Sequence, residues 1–319
     1  VQGDVFDAKI TEMARRKFKR TNYPLDALFV NLESRGFIKR NQVYGKAMIH
    51  WVFCQPLMRE ACYQNLSLRD RRELHAHSAD AMEEVYGSSI ENYSAQLAMH
   101  RECAEQWRLA GEAHLLSAGH ASNVFINDQA VLRYRQAVEA IDKIDSPDNM
   151  DMQVKVNALA GAIRVLLRMG NYDESEKLVR EMQSVAFRVI DLADADRFYA
   201  TICAKKGATK QSEQYLWHAL NNLGDSAEFD SAKAWILFDL AGFYFRAGDL
   251  EKARHNLRLR SICQGSSDSL ESVHADILEG KIAHAQGRFA EASEIFLKVH
   301  QIAEKNKCAS ALSNACINL

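Results

Sequence analysis

Five of the six histidines in the first 120 residues, His75, His77, His100, His114 and His120, are the side chains best suited to hold a metal or move a proton near neutral pH. Their spacing argues against a metal. His75 and His77 fall about 200° apart around a helix, and none of these pairs has HExxH spacing, so packed or solvated histidines are expected. Serines cluster at Ser266-Ser267-Asp268-Ser269 and Gly87-Ser88-Ser89, where turns and helix N-caps account for them better than a nucleophile does. Seven cysteines (Cys54, Cys62, Cys103, Cys203, Cys263, Cys308 and Cys316) include no CxxC pair. They read as small buried apolar residues of a reducing, cytoplasmic compartment. No catalytic residue, metal site or cofactor is expected.

The elements that must position any functional group are helical. Only 3 prolines and 15 glycines interrupt 319 residues. The longest apolar run, Trp235 to Phe245, is broken by Asp239 and falls short of the roughly 20 residues a membrane helix needs. Forty basic and 42 acidic side chains nearly cancel, which leaves only local patches for nucleic acid or an anionic surface. Opening at Val1 and stopping as a helical pattern resumes, the chain reads as a segment of a longer protein.

Pro24 precedes a short helical pattern through Leu32 that stops at Gly36; Val43-Tyr44 and Met48 to Phe53, parted by Gly45-Lys46-Ala47, predict a hairpin; Pro56 opens another helix through Leu66. A helix, a recognition-like helix, a hairpin and a closing helix resemble a winged-helix module over residues 1–66. Residues 1–46 carry ten Lys or Arg, among them Arg15-Arg16-Lys17 and Lys19-Arg20, against five acids. Such a face would suit DNA phosphates or an intramolecular partner, or would simply be solvated.

From Arg69 onward the pattern is helical, with breaks at Gly170, Gly207, Gly248 and Gly287, spaced 37, 41 and 39 residues apart. Each glycine accepts the positive φ that ends one helix. A polar residue follows, then an apolar plug, and a small residue five places on (Ser175, Ser212, Ala253, Ala292) lets two helices cross closely. Ala200, Ala241 and Gly280, seven before the glycine, serve the same approach. The stretch Leu240-Ala241, Tyr244, Gly248-Asp249-Leu250-Glu251-Lys252-Ala253 resembles the tetratricopeptide repeat. Asn127 to Ala137 looks like a degenerate earlier unit, and Trp107 to Gly119 like a long helix before it. The resemblance implies an all-α fold: a tetratricopeptide-like right-handed superhelical solenoid over residues 67–319, behind the winged-helix module.

In such a solenoid the first helix of each pair lines a concave groove. Counting back from each glycine places Asn157, Ala160, Gly161 and Arg164 there. The next repeats place Asp194, Arg197, Phe198 and Thr201, then Trp235, Phe238, Asp239 and Gly242, then His274, Ile277, Leu278 and Lys281. Arg164, Arg197, Thr201, Trp235, Phe238, Asp239 and Lys281 are the candidate partner-binding residues, suited to a protein or peptide carrying an acidic residue. Alternatively, Trp235 and Phe238 fill the seam between repeats.

Phe53, Leu57-Met58-Arg59-Glu60-Ala61-Cys62-Tyr63, Leu66, then Arg71-Arg72-Glu73-Leu74-His75 and Ala79 to Glu83 resemble the junction of winged helix and repeats in bacterial multidomain signalling ATPases of the STAND type. That family is often fused to class III adenylate/guanylate cyclases or LuxR-type regulators. The resemblance implies a non-catalytic sensor segment, cytoplasmic, binding a protein or small ligand in the groove and acting on an attached ATPase or cyclase domain. Any catalysis would lie outside this chain: nothing here fits GxxxxGK[ST], and no cyclase carboxylates are visible. Related ATPases use a winged-helix histidine to touch the β-phosphate of ADP; Gln55 stands at that place, able to donate a hydrogen bond but not to become a cation. A transcriptional regulator contacting DNA through the basic module is the alternative.

Overall fold

A computed structural model of the chain describes residues 5–18, 24–41, 50–264 and 270–305. The chain divides into two compact units at Gly170. The first unit opens with strand β1 (Val5–Asp7), α1 (Ala8–Phe18) and α2 (Leu25–Ser34), followed by β2 (Ile38–Asn41), β3 (His50–Phe53) and α3 (Pro56–Gln64). Pro24 precedes α2, and Pro56 occupies the first turn of α3, where its missing N–H has no helical partner to lose. The three strands form one antiparallel sheet in the order β1-β3-β2, with Phe6 opposite Trp51 and Ile38 opposite Phe53. Phe6, Leu25, Phe29, Ile38 and Trp51 form its core, with the Phe29 and Trp51 rings 5.0 Å apart. Strands β1 and β2 were not assigned from the sequence. The expected strand ending at Phe53 is β3 from His50 on, while its expected partner at Val43-Tyr44 and the turn at Gly45-Lys46-Ala47 lie outside the described residues.

Helices α4 (Leu68–Tyr86), α5 (Ser94–Cys103), α6 (Trp107–Asn123), α7 (Asn127–Asp142) and α8 (Asn149–Met169) complete the first unit. Ser67 caps α4 by accepting the Asp70 N–H at 3.1 Å, and Asp148 and Asp151 form a reciprocal capping box at α8. Helix α1 packs on α4 through Ile10, which is buried with Ala79, Met82, Leu97 and Ala98.

The second unit contains α9 (Tyr172–Val185) and the pairs α10 (Val189–Lys205) with α11 (Thr209–Leu223), α12 (Asp230–Arg246) with α13 (Leu250–Gln264), and α14 (Leu270–Ala285) with α15 (Phe289–Lys305). Gly207, Gly248 and Gly287 take φ of +82°, +82° and +76°, as the repeat reading requires. Each closes its helix with the same backbone bonds: Ala208 N–H to Cys203 O, Asp249 N–H to Tyr244 O and Arg288 N–H to Ala283 O. Ser175, Ser212, Ala253 and Ala292 are all buried. The plug is less regular. Tyr172 and Leu250 are half-buried, Thr209 is exposed, and Phe289 is 63% exposed with its ring edge-on to His284.

Candidate functional site

Helices α10, α12 and α14 stack in succession, and with α11 they border a cleft of about 570 Å³ in the second unit. Its apolar lining comes from Ala200, Ala204, Leu216, Phe238, Ile277 and Leu278; its polar lining includes Thr201, Lys205, Asp239, Arg246, His274 and Lys281. Phe238 both lines the cleft and packs on the core beneath, so the anchor and seam readings describe two sides of one ring. Trp235 meets Phe238 edge-on at 6.2 Å but does not line the cleft.

Arg197 is used within the fold. Its guanidinium donates to Asp239 Oδ2 from Nε (2.9 Å) and lies 2.8 Å from the same oxygen through Nη2, while Nη1 donates to Asp194 Oδ1 at 3.1 Å. Burial opposes the charge on Arg197, and the two carboxylates outweigh it, raising its pKa. Burial likewise raises the pKa of Asp239 against the pull of Arg197. The pair ties α10 to α12, so Arg197 acts behind Asp239 and leaves the cleft lining. Thr201 is exposed at the lining, its hydroxyl donating to Arg197 O at 3.0 Å. Lys281 lines the cleft. Arg164 is exposed on α8, in the first unit, and Gly161 is buried against the ring of Tyr134 instead of facing a groove.

Two cations escaped the sequence reading. Lys205 and Arg246 stand two residues before Gly207 and Gly248, as Arg168 stands before Gly170. That repeated position was visible, but a basic last turn also suits any helix C-terminus, which made it uninformative alone. With Lys281 they give the cleft three cations against Asp239, whose charge Arg197 already meets.

Of the histidines, the fold brings together His75 and His100, Nδ1 to Nδ1 at 2.9 Å, between α4 and α5; His75 Nε2 lies 3.0 Å from the Tyr63 hydroxyl of α3. Burial lowers the pKa of His75 to about 4 and of His100 to about 3, so both are neutral at pH 7. Among the described residues no group of three or more His, Cys, Asp or Glu could hold a metal. His114 is buried and 3.2 Å from Glu102. The cysteine reading needs correction: of the five described, all free, Cys54, Cys62 and Cys103 are exposed and only Cys203 is buried. Several lie near helix ends, where a small side chain is tolerated without being covered.

On the first unit, Glu12 pairs with both Arg15 (3.3 Å) and Arg16 (3.0 Å). Helix α2 carries no lysine or arginine and exposes Leu28 and Val30. Gln55 is exposed ahead of α3 and makes no capping bond through its side chain. No helix among the described residues is long and apolar enough to cross a membrane.

A tetratricopeptide repeat family model matches residues 273–296, which span most of α14 and the start of α15. No curated protein matches the chain. Similar solved structures include a tetratricopeptide repeat protein from Parabacteroides merdae, at 14% identity over 82% of this chain and 98% of that one, TM-score 0.49. PilW, a type IV pilus biogenesis factor, is 20% identical over 71% of this chain and 98% of its own, TM-score 0.46. A STAND protein with a tetratricopeptide repeat sensor from Pyrococcus horikoshii is 10% identical over 98% of this chain and 51% of that one, TM-score 0.44. The paired helices, their glycine closures and the repeat at residues 273–296 make this an all-α fold of the tetratricopeptide type.

Proposed function

We propose that this chain is a non-catalytic interaction and regulatory segment whose cleft between α10, α12 and α14 binds an acidic peptide segment of a protein. The observation that carries the reading is the lining itself: Lys205, Arg246 and Lys281 line the same cleft as Phe238, while Asp239 is occupied by Arg197. An aromatic anchor with cations in the same cleft suits a chain of alternating apolar and carboxylate side chains. The test is an anisotropy titration with labelled Asp/Glu-Leu peptides and their Lys-Leu counterparts. The acidic series should bind, and Phe238→Ala or Lys281→Glu should weaken it roughly tenfold. Equal binding of the basic series, or unchanged affinity in both variants, refutes the reading.

In the intact protein, residues 67–319 would act as a sensor array and residues 1–66 as a winged-helix module seated on a STAND-type ATPase or cyclase domain. Peptide in the cleft would favour one arrangement of the helix pairs and shift the population of states of the attached domain. A recognition-position helix without cations, exposing Leu28 and Val30, favours a protein contact for the module over DNA. A gel shift at low salt that shows tight duplex binding would reverse that preference.

A further inference from the structure

We propose that the turn joining α6 to α7 is a docking tip for another protein, one that offers an apolar pocket edged by carboxylates. The turn consists of Val124, Phe125 and Ile126, which are 51%, 72% and 52% exposed. Its backbone closes as at Gly207 and Gly248: Val124 N–H to His120 O, Phe125 N–H to Ser122 O and Ile126 N–H to Ala121 O. Phe125 therefore sits at φ +60°, in a left-handed conformation that is unfavourable for a residue with a side chain. Burial does not offset that cost, because the ring is the most exposed of the three side chains. The comparable Glu105, at φ +56° between α5 and α6, pairs with Arg72. Phe125 has a different neighbour. The Arg168 guanidinium lies over its ring, 5.5 Å from the centroid, while Nη2 donates to Ser122 Oγ (3.0 Å) and Asn127 Oδ1 (2.9 Å).

Arg168 is thus held in place by neutral acceptors, which fix its position without cancelling its charge. A strained, exposed aromatic ring braced by a pinned arginine combines the two side-chain types that dominate binding hot spots, with little ordering entropy left to lose. Charge selects the partner. Insertion into the cleft of a second copy would set Arg168 against Lys205, Arg246 and Lys281, and a two-fold contact between tips would set it against itself. An anionic membrane calls for a cluster of basic residues, whereas here an exposed carboxylate, Asp128, directly follows Asn127, which Arg168 bonds. A carboxylate-edged pocket answers both the ring and the guanidinium.

The test places p-benzoyl-phenylalanine at position 125 of the full chain in its own cells and identifies the photoadduct by mass spectrometry. The purified adduct partner is then titrated against the wild-type chain and its variants. Phe125→Ala should weaken binding roughly tenfold or more, and Arg168→Glu should weaken it more than Arg168→Gln. Phe238→Ala should leave it unchanged, so this proposal and the peptide cleft fail independently. Phe125→Gly should lose binding while melting above the wild type, which separates lost contact from lost fold. Absence of a protein adduct, an adduct to a second copy, Phe125-dependent sedimentation with phosphatidylglycerol vesicles, or affinity insensitive to Phe125→Ala overturns the proposal.

Discussion

At Gly207, φ is +82° and nothing lies within 4 Å of where a Cβ would sit; at Gly280 the backbone is helical and a Cβ would stand 2.7 Å from the Phe296 ring. Alanine is therefore disfavoured at both positions for unrelated reasons. Gly207→Ala should cost about 1 kcal/mol through the backbone alone. Gly280→Ala should cost about 1–3 kcal/mol by displacing a ring that is 1% exposed, with the neighbouring helix moved along with it. Urea denaturation gives both values. Recovery on adding Phe296→Leu to Gly280→Ala, and none on adding it to Gly207→Ala, would separate the two causes. Glu105→Gly runs the other way: relief of a positive φ gains about 1 kcal/mol, less the small contribution of an exposed ion pair with Arg72. The glycine closures were legible because glycine marks them. Those at Glu105 and Phe125 were hidden, since nothing in either residue type announces a left-handed turn.

Helices α4 and α5 meet at the His75–His100 contact, whose meaning is a matter of pH. An unfolded histidine takes up a proton near pH 6.5, whereas these two resist protonation until about pH 4 and about pH 3. Their contribution to stability is therefore complete above about pH 6.5 and is lost as the pH falls towards 4. Each titrating group adds a slope of about 1.4 kcal/mol per pH unit. Burial lowers the pKa of His114 as well, so it adds to the same trend. Chemical denaturation between pH 7.5 and 4.5 should show the loss, and His100→Leu should flatten it. An unchanged slope in that variant would place the acid sensitivity elsewhere. The 25-residue separation of the two rings made the pair invisible to any rule based on helical spacing, since only the packing of α5 on α4 sets one against the other.

Across the stacked pairs of the second unit, stability is the sum of each hairpin and its contacts with the next. The Arg197–Asp239 pair is one such contact, spanning 42 residues. Arg197→Ala should leave a half-buried carboxylate at the cleft without its counter-ion, costing about 1–2 kcal/mol at this degree of exposure and weakening acidic peptides by repulsion. Asp239→Asn in the same chain should restore much of both. A double-mutant cycle read by thermal melting and by peptide anisotropy measures the coupling, and additive effects would show that the two side chains act separately.

Sequence alone determined the helical-hairpin plan, because its causes are local. Glycines about 40 residues apart mark positive φ, and small residues at fixed offsets allow close crossing. It also placed Thr201, Phe238, Asp239 and Lys281 on the cleft, since the position of a side chain around a helix follows from counting. Tertiary structure decided what each polar group meets. It drew Arg197 into the fold through Asp239, turned Gly161 against Tyr134, paired His75 with His100, added strands β1 and β2, and left Phe125 uncovered beneath Arg168. Spacing along a chain fixes directions within one helix, whereas charge, burial and exposure depend on neighbours that only packing brings close.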